Sequence, residues 1–340
     1  MKKSNLNIKL GKDSEGNYFS YDIQKMGHLL IGGVSGEHNI NFIHSIVKQL
    51  IENNSNDEVK FIMSDICNFD RTHLDVYSKI NYMLAPVITE PQKVTEMFNW
   101  LDSEQGRRYE LLRKTNLRTT DDYNEKFRGN VLPKIIVIIN DLAGLMDEIP
   151  KFEKTLIKIM QLSKYSGINI ILLSQSCDKE VLTGVIKATI SSRIAFKTED
   201  QIASFLLVGQ SGAEKLEDNG ELLFISPENL RPIKLKNDFV FGEESYNLIN
   251  IEHSTRNPKY NKRLLFSLKL FEDGFSDVIS SKEMLNDAIK CIAETDEQSI
   301  RNLQNNLCIG YARARGIIEL LIEYEVIPKV DPITKRRKLL

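Results

Sequence analysis

The segment GGVSGEHNI (32–40) has the residue spacing closest to a phosphate-binding loop. In the active pattern, GxxxxGK[ST], backbone N–H groups cradle phosphates, a lysine neutralises them and a hydroxyl holds Mg²⁺. Gly33 and Gly36 fit that frame, and the segment lies where an apolar strand passes into a helical stretch. Residues 32–40, called the glycine loop below, therefore keep the framework of a nucleotide site.

The same loop lacks the groups that hold phosphate and metal. His38 replaces the last glycine, Asn39 the lysine and Ile40 the hydroxyl, while Glu37 adds a carboxylate. Losing one charge-assisted hydrogen bond costs about 1.5–3 kcal/mol. We therefore predict negligible nucleotide binding. The alternative for the glycines is a strand–helix turn kept only for packing.

A second nucleotide element, IIVIIND (135–141), also differs from the pattern of active sites. Active phosphoryl-transfer sites place an acid at the end of such a strand for Mg²⁺, and a further group positions the attacking water. Here these positions hold Asn140 and Asp141. Asp141 replaces Asn140 only through a one-residue slip, which turns a side chain to the other face of the strand. We predict no catalytic residues, no metal site and no cofactor, with ATP and Mg²⁺ bound only if hydrolysis survives.

Short apolar strands alternate with helical stretches from His28 to about Phe196. This alternation predicts an α/β fold with a parallel, doubly wound sheet, whose ligands bind at the carboxyl ends of the strands. We assign residues 1–245 to this core and the polar range 246–280 to a linker. Residues 281–340 are predicted to form three helices and a basic hairpin, the outline of a winged helix.

Charge divides the chain in the same way. The formal net charge is −2, but residues 299–340 carry eight Lys/Arg against four acids. A basic patch on an otherwise acidic chain is compatible with local nucleic-acid binding. The four cysteines are scattered, and the longest apolar run is far shorter than the roughly 20 residues that span a bilayer. We expect a cytoplasmic chain with no secretory signal and no membrane contact.

Several segments carry a resemblance to a known family, and they occur in its order: LGKDSEGNYFSYDIQKMGHLLIGG, VKFIMSD, RRYELLRKTNLRTTDDYNEK, KIIVIINDLAGLMD, GINIILLSQ, VLTGVIKATISSRIAF, GAEKLEDNGELLF and IGYARARGIIELLIEYEVI. They resemble the FtsK/SpoIIIE family of hexameric DNA pumps, and the resemblance extends over residues 8–340. The resemblance implies a RecA-like P-loop NTPase fold with a C-terminal winged-helix domain. It implies double-stranded DNA as partner, and a homo-oligomer or a hetero-oligomer with an active FtsK-like subunit. The family's membrane anchor and the small subdomain before the motor core are not expected here.

The resemblance also assigns residues in the core. Gln175 corresponds to the family's sensor-like glutamine, with a purely structural role as the alternative. Lys187 and Arg193 correspond to positions near the central channel, where they would contact the phosphate backbone. The alternatives are a solvated helix residue for Lys187 and a helix cap or ion pair for Arg193. A further basic cluster is expected to be a solvated, partly structural helix face: Arg107, Arg108, Arg113, Lys114 and Arg118.

The tail provides the stronger prediction of DNA contact. Tyr311, Arg313 and Arg315 begin a helix after Gly310, and residues near the start of a recognition helix reach base edges in the major groove. The inward face of this helix is predicted as Ile317, Ile318, Leu321 and Ile322. The basic residues of the hairpin are predicted to contact phosphate: Lys335, Arg336, Arg337 and Lys338.

These observations favour a pseudo-ATPase that binds duplex DNA, either as a non-hydrolysing subunit or as an architectural, site-recognising protein. Two alternatives remain at this stage. One is a slow ATP-dependent translocase with an unorthodox site, and the other is a protein-interaction scaffold on an ATPase fold.

Overall fold

The structure, a computed structural model, describes residues 5–66, 74–149, 151–240, 242, 258–268, 282–295, 298–307 and 309–327. The chain divides into two compact units, the first ending at Tyr260 and the second beginning at Asn261. A helix, Lys262–Ser267, occupies part of the range predicted as a linker. The other domain boundaries stay predictions.

One mixed sheet forms the centre of the first unit. Its described strands are β1 (Asn7–Lys12), β2 (Tyr18–Asp22), β3 (Leu29–Gly32), β4 (Val59–Asp65), β5 (Lys134–Asn140), β6 (Ile168–Ser174), β7 (Ser192–Ala195), β8 (Glu221–Ile225) and β9 (Ile233–Lys236). They lie in the order β2-β1-β9-β8-β7-β3-β6-β5-β4. Every residue of β3, β5 and β6 is buried, so these three strands form the middle of the core.

The predicted parallel sheet is confirmed for the five strands from β7 to β4, but the whole sheet is not parallel. The strands β8, β9, β1 and β2 extend it through antiparallel pairs. A short turn containing Gly16, whose φ of 85° lies in the left-handed region, joins β1 to β2. Strands joined by such short turns pair antiparallel, whereas parallel neighbours need a long crossover.

Helices connect and cover the strands of the first unit: α1 (Ile23–Met26), α2 (Gly36–Asn53), α3 (Pro91–Thr115), α4 (Thr120–Lys126), α5 (Leu142–Glu148), α6 (Phe152–Ser166), α7 (Gly184–Thr189) and α8 (Gln201–Val208). Two separate helices, α3 and α4, lie between residues 91 and 126. The α3 helix ends where Asn116 takes a left-handed conformation (φ 55°), and a capping box between Thr119 and Asp122 begins α4.

The basic cluster on α3 is partly a core element. The Arg108 side chain is only 2% exposed and forms an ion pair with Glu104 at 2.7 Å. Its Nη1 donates hydrogen bonds to the carbonyl oxygens of Pro133 (2.9 Å) and Ser166 (2.7 Å). Arg108 is thus a structural part of the face predicted to be solvated and partly structural, because its guanidinium joins α3 to the residues that flank β5 and β6. Arg107 and Arg113 keep more exposed side chains.

The second unit contains four described helices: α9 (Lys262–Ser267), α10 (Lys282–Thr295), α11 (Ile300–Leu307) and α12 (Tyr311–Glu323). Leu264, Leu303, Ile317 and Leu321 are buried in it. The three helices predicted for the tail are confirmed. The predicted hairpin and its basic residues Lys335–Lys338 lie outside the described residues.

Candidate nucleotide-loop remnant and nucleic-acid interface

The carboxyl ends of four parallel strands bring the predicted nucleotide elements to one edge of the sheet. Gly32 pairs with Ser174 between β3 and β6, which places the glycine loop beside Gln175. On the other side of β6, β5 ends at Asn140, which pairs with Asp65 at the end of β4. This is the edge at which open α/β sheets bind ligands.

Two of the three glycines of the loop, Gly33 and Gly36, lie close to neighbouring residues. Gly33 has φ 152°, and a Cβ there would lie 2.8 Å from Cβ of Phe196. The next residue, Val34, donates its N–H to the carbonyl oxygen of Lys197 at 2.9 Å. A Cβ on Gly36 would lie 2.6 Å from Nε2 of Gln175. The loop therefore packs against the residues that follow β6 and β7.

A polar cluster fixes the first turn of α2. Ser35 is the N-cap, and its Oγ accepts the N–H of His38 at 3.4 Å. The Nδ1 atom of His38 lies 2.9 Å from this Oγ and 2.9 Å from Oδ1 of Asp218. The imidazole also stacks on the Phe196 ring, with 6.1 Å between centroids. The side chain at the position of the last glycine is thus held by three neighbours beside the loop.

The two positions that normally hold phosphate and metal are turned inward. Asn39 is 2% exposed and donates Nδ2–H to the carbonyl oxygen of Gly33 at 3.1 Å. Its Oδ1 is buried and has no hydrogen-bond partner among the described residues. Ile40 is 7% exposed and belongs to the main hydrophobic core. With Glu37 exposed in the same turn, these residues supply neither a cation for phosphate nor a hydroxyl for Mg²⁺, so they do not fit ATP–Mg²⁺.

Asn140 occupies a buried contact of its own. Its Nδ2 donates to Oδ1 of Asp65 at 2.9 Å, and Oδ2 of Asp65 accepts the N–H of Leu74 at 3.1 Å. Asp65 is fully buried. Asp141 has a left-handed conformation (φ 67°) and caps α5 by accepting the N–H of Gly144 at 3.0 Å. The amide at 140 therefore satisfies a buried carboxylate, and the carboxylate at 141 is used in capping.

A cleft of about 410 Å³ opens beside Gln175 and Val34. Its charged lining comprises one lysine and four carboxylates: Lys179, Asp178, Glu180, Glu199 and Asp200. The cleft also contains Cys177, whose pKa is raised to about 11 by burial and by the nearby Asp178. A thiol with this pKa stays protonated at neutral pH and is a poor nucleophile. The negative lining opposes the approach of a triphosphate.

The two residues assigned to a DNA channel have different surroundings. Arg193 lies on β7, and its guanidinium donates to three carbonyl oxygens, those of Ile190 (2.9 Å), Leu207 (3.3 Å) and Lys187 (2.5 Å). Burial lowers the pKa of Arg193. This arginine therefore ties the ends of α7 and α8 to the sheet, and Lys187 is a half-buried residue of α7. Their contact with DNA stays a prediction.

The first turn of α12 presents the predicted recognition residues. Tyr311 is 58% exposed, and Arg313 is also exposed. Arg315 is paired with Glu319 at 2.7 Å, and this hydrogen bond raises the pKa of Arg315. On a helical wheel Tyr311, Arg315 and Glu319 share one face, and Arg313 projects to another.

The buried face of α12 is broader than the sequence indicates. Ile317, Ile318 and Leu321 are buried as predicted, and Ala314 and Leu320 join them. Ile322 is half-buried. This face holds the helix in its small core, which leaves the first turn for contacts with a partner.

Two family models match this chain. The FtsK/SpoIIIE family matches residues 1–178, which is more than half of the chain, and the Ftsk gamma domain matches residues 280–340. The chain belongs to the FtsK/SpoIIIE family. The gamma-domain match coincides with the range predicted as a winged helix.

Curated members of the FtsK/SpoIIIE family align with nearly the whole chain. The DNA translocase FtsK of Caldanaerobacter subterraneus subsp. tengcongensis is 35% identical over 341 residues, covering 99% of this chain and 47% of that protein. That of Clostridium acetobutylicum is 34% identical over 348 residues, covering 99% and 44%. The chain therefore spans less than half the length of these relatives.

Solved structures confirm the predicted P-loop ATPase fold. The cytoplasmic domain of the type VII secretion ATPase EccC from Thermomonospora curvata has a TM-score of 0.67 at 20% identity, covering 76% of this chain and 32% of that one. The monomer form of the pCW3 conjugation coupling protein TcpA with ATPγS has a TM-score of 0.58 at 25% identity, covering 74% and 70%. Within the described residues, no helix is both long and apolar enough to cross a membrane.

Sequence reasoning missed two residues of the remnant, Asp65 and Asp218. Asp65 ends an apolar strand, VKFIMSD, and a polar residue at the carboxyl end of a core strand is a recognisable signal. Asp218 lies on the turn before β8, and no local pattern connects it with His38. That contact depends on the antiparallel extension of the sheet, which the sequence analysis did not predict.

Proposed function

We propose that this chain is a duplex-DNA-binding member of the FtsK/SpoIIIE family that does not hydrolyse ATP. The observation that carries the proposal is the conformation of Asn39, whose amide hydrogen-bonds to the carbonyl oxygen of Gly33 at 3.1 Å inside the glycine loop. The neighbouring Ile40 is buried in the core. A site with this arrangement offers phosphate no cation and Mg²⁺ no hydroxyl.

The opposite side of the site supports the same proposal. Asn140 is neutral and its amide faces Asp65, so the position that should bind Mg²⁺ serves a buried hydrogen bond instead. The cleft next to Gln175 carries an excess of carboxylates. These features reinforce each other, because electrostatic stabilisation is the main contribution of the protein to phosphoryl transfer.

DNA binding is proposed to belong mainly to the gamma-domain region. Its α12 begins with exposed Tyr311 and Arg313, and an arginine fork pairs with guanine O6 and N7 in the major groove. Arg315 must release Glu319, or share it, before it contacts DNA. The basic run Lys335–Lys338 is proposed to hold phosphate, which fixes position without reading sequence.

A chain that binds DNA without hydrolysing ATP contributes DNA affinity but does not drive translocation. We therefore propose that it acts in an oligomer, either of its own copies or beside an active FtsK-like subunit. Lys187 and Arg193 remain candidates for contact with a phosphate backbone in such an assembly. Its duplex affinity should fall steeply with salt, since neutralised phosphates release counterions.

Isothermal calorimetry with ATP and Mg²⁺ tests the loss of nucleotide binding. We expect no measurable heat from the natural chain at high micromolar concentration. The matched variant restores the loop with His38→Gly, Asn39→Lys and Ile40→Ser, and partial recovery of binding is expected. Saturable heat from the natural chain would overturn the proposal and favour the slow translocase.

A further inference from the structure

A second cavity, of about 500 Å³, lies between β1, β9 and the carboxyl-terminal half of α2. Four lysines line it: Lys9, Lys12, Lys48 and Lys236. Two carboxylates, Glu52 and Asp238, also line it, so positive charge is in excess. We call this cavity, with the adjoining side chain of Tyr18, the lysine cleft. All of its residues belong to the first unit, and none belongs to the gamma-domain region.

A β-bulge brings two of these lysines together. The pairing of β1 with β2 shifts register between Lys9 and Gly11, after Lys9 has paired with Ser20 and before Lys12 pairs with Tyr18. In a regular strand, residues three apart point to opposite faces. The extra residue cancels that alternation, and both ammonium groups lie over the Tyr18 ring, 4.7 Å and 5.3 Å from its centroid. Bulges commonly re-aim side chains next to functional sites.

The third lysine is held opposite the second. Lys12 pairs directly with Lys236 across β1 and β9. A Cβ on Gly11 would lie only 2.7 Å from the carbonyl oxygen of Lys236, so glycine permits this close approach. Like charges directly opposite each other destabilise a sheet. Asp238 lies 3.5 Å from Lys12 and 3.9 Å from Lys236, and Glu221 pairs with Lys236 across β8 and β9, so two carboxylates offset part of that repulsion.

The aromatic ring makes this cluster more than an anion-attracting surface. Tyr18 is 58% exposed, so much of its ring is open to solvent beside the ammonium groups. Grooves that bind unpaired nucleic acid combine backbone-tracking cations with aromatic rings on which bases stack. Duplex DNA offers phosphates but keeps its bases stacked within the helix, and an acidic peptide offers no base.

We propose that the lysine cleft binds an unpaired nucleic-acid strand, with a phosphate among the lysines and its base stacked on Tyr18. This site is separate from the proposed duplex contact of α12. It allows the core unit to bind a single strand independently of the gamma-domain region.

The test uses the full-length chain and a fluorescein-labelled thymidine oligonucleotide of about twelve residues. Tyr18→Ala should weaken binding of this strand about tenfold, because one stacked base is lost. Tyr18→Phe keeps the ring and should bind like the natural chain. Lys9→Gln with Lys12→Gln should reduce the slope of log affinity against log salt by about 0.7, which is the contribution of one single-strand phosphate contact.

Two lysines of the same unit outside the cleft, Lys25 and Lys158, have side chains 62% and 59% exposed and provide the control. Lys25→Gln with Lys158→Gln removes the same charge and should leave the affinity unchanged. Photocrosslinking with a 5-bromouracil strand should label the peptide containing Tyr18. Duplex affinity should be the same for the natural chain and Tyr18→Ala, which separates this proposal from that for the gamma-domain region.

Three results would overturn the proposal. The first is unchanged single-strand affinity in Tyr18→Ala, and the second is crosslinking confined to the gamma-domain region. The third is displacement of the strand by poly-glutamate as effectively as by unlabelled oligonucleotide at equal charge, which would indicate an acidic-peptide surface.

Discussion

Restoring an acid at Asn140 should destabilise this protein rather than repair it. The Asn140 amide donates a 2.9 Å hydrogen bond to Oδ1 of Asp65, which is fully buried. Asn140→Asp has the same shape but places two carboxyl groups in that contact. Because like charges at this distance do not both ionise, the folded variant keeps a proton that the unfolded chain has released.

The size of the effect follows from the distance. Two unit charges 2.9 Å apart repel by about 6 kcal/mol at an effective dielectric constant of ~20. The folded variant avoids that repulsion by keeping one proton. Keeping it costs about 1.4 kcal/mol for each pH unit above ~4, the pKa of a free aspartate. We therefore expect the variant to match the natural chain near pH 4 and to lose about 4 kcal/mol at pH 7.

Urea unfolding followed by circular dichroism between pH 4.5 and 8 measures this difference. The control is the exchanged pair, Asp65→Asn with Asn140→Asp, which again has one amide and one carboxylate and should recover most of the stability. A loss that does not change with pH, or an exchanged pair as unstable as the single variant, would refute the role given to this contact.

Three further predictions concern other parts of the chain. Burial lowers the pKa of His28 from 6.5 to about 4, so the unfolded chain takes up a proton first as pH falls. The free energy of unfolding should therefore drop by about 3 kcal/mol between pH 7 and pH 4, and His28→Gln should lack that part of the drop in urea titrations. Arg108→Met leaves two main-chain carbonyls without their donor, while Glu104 keeps its hydrogen bonds from Arg107, and should cost about 1–3 kcal/mol in the same assay. Arg313→Ala should cost about 1–3 kcal/mol on a selected duplex and little on random DNA, whereas Arg336→Ala with Arg337→Ala should weaken both alike and flatten the salt slope. Competition across a random-sequence library separates the two outcomes.

The sequence predicts the parallel part of the fold well because that part obeys local rules. The continuous apolar runs KIIVIIN and INIILLS can only be buried on both faces, and they become β5 and β6. The antiparallel strands are harder to predict, since β1 and β9 are distant in sequence and pair at Lys12 and Lys236. A Cβ at Gly11 would crowd that approach, and no spacing rule reveals this.

The candidate site divides in the same way. Departures from a motif are visible in sequence, so the changes at Asn39 and Asn140 are evident without coordinates. The sequence does not reveal the orientation of those two side-chain amides. The contact of Asn39 with Gly33 and that of Asn140 with Asp65 depend on tertiary packing. The contacts of Arg193 could not be predicted from the sequence either. Its position suggested a channel residue, but its guanidinium donates to three main-chain carbonyl oxygens.

Parallel titration of the purified chain with duplex DNA, with ATP and Mg²⁺ present, tests the central claim most directly. Fluorescence anisotropy reports the fraction of duplex bound, and a phosphate sensor reports hydrolysis in the same samples. We predict saturable, salt-sensitive duplex binding with phosphate release no faster than in samples without protein. Phosphate release that rises with duplex concentration would contradict the claim, and so would a chain that fails to bind duplex at low salt.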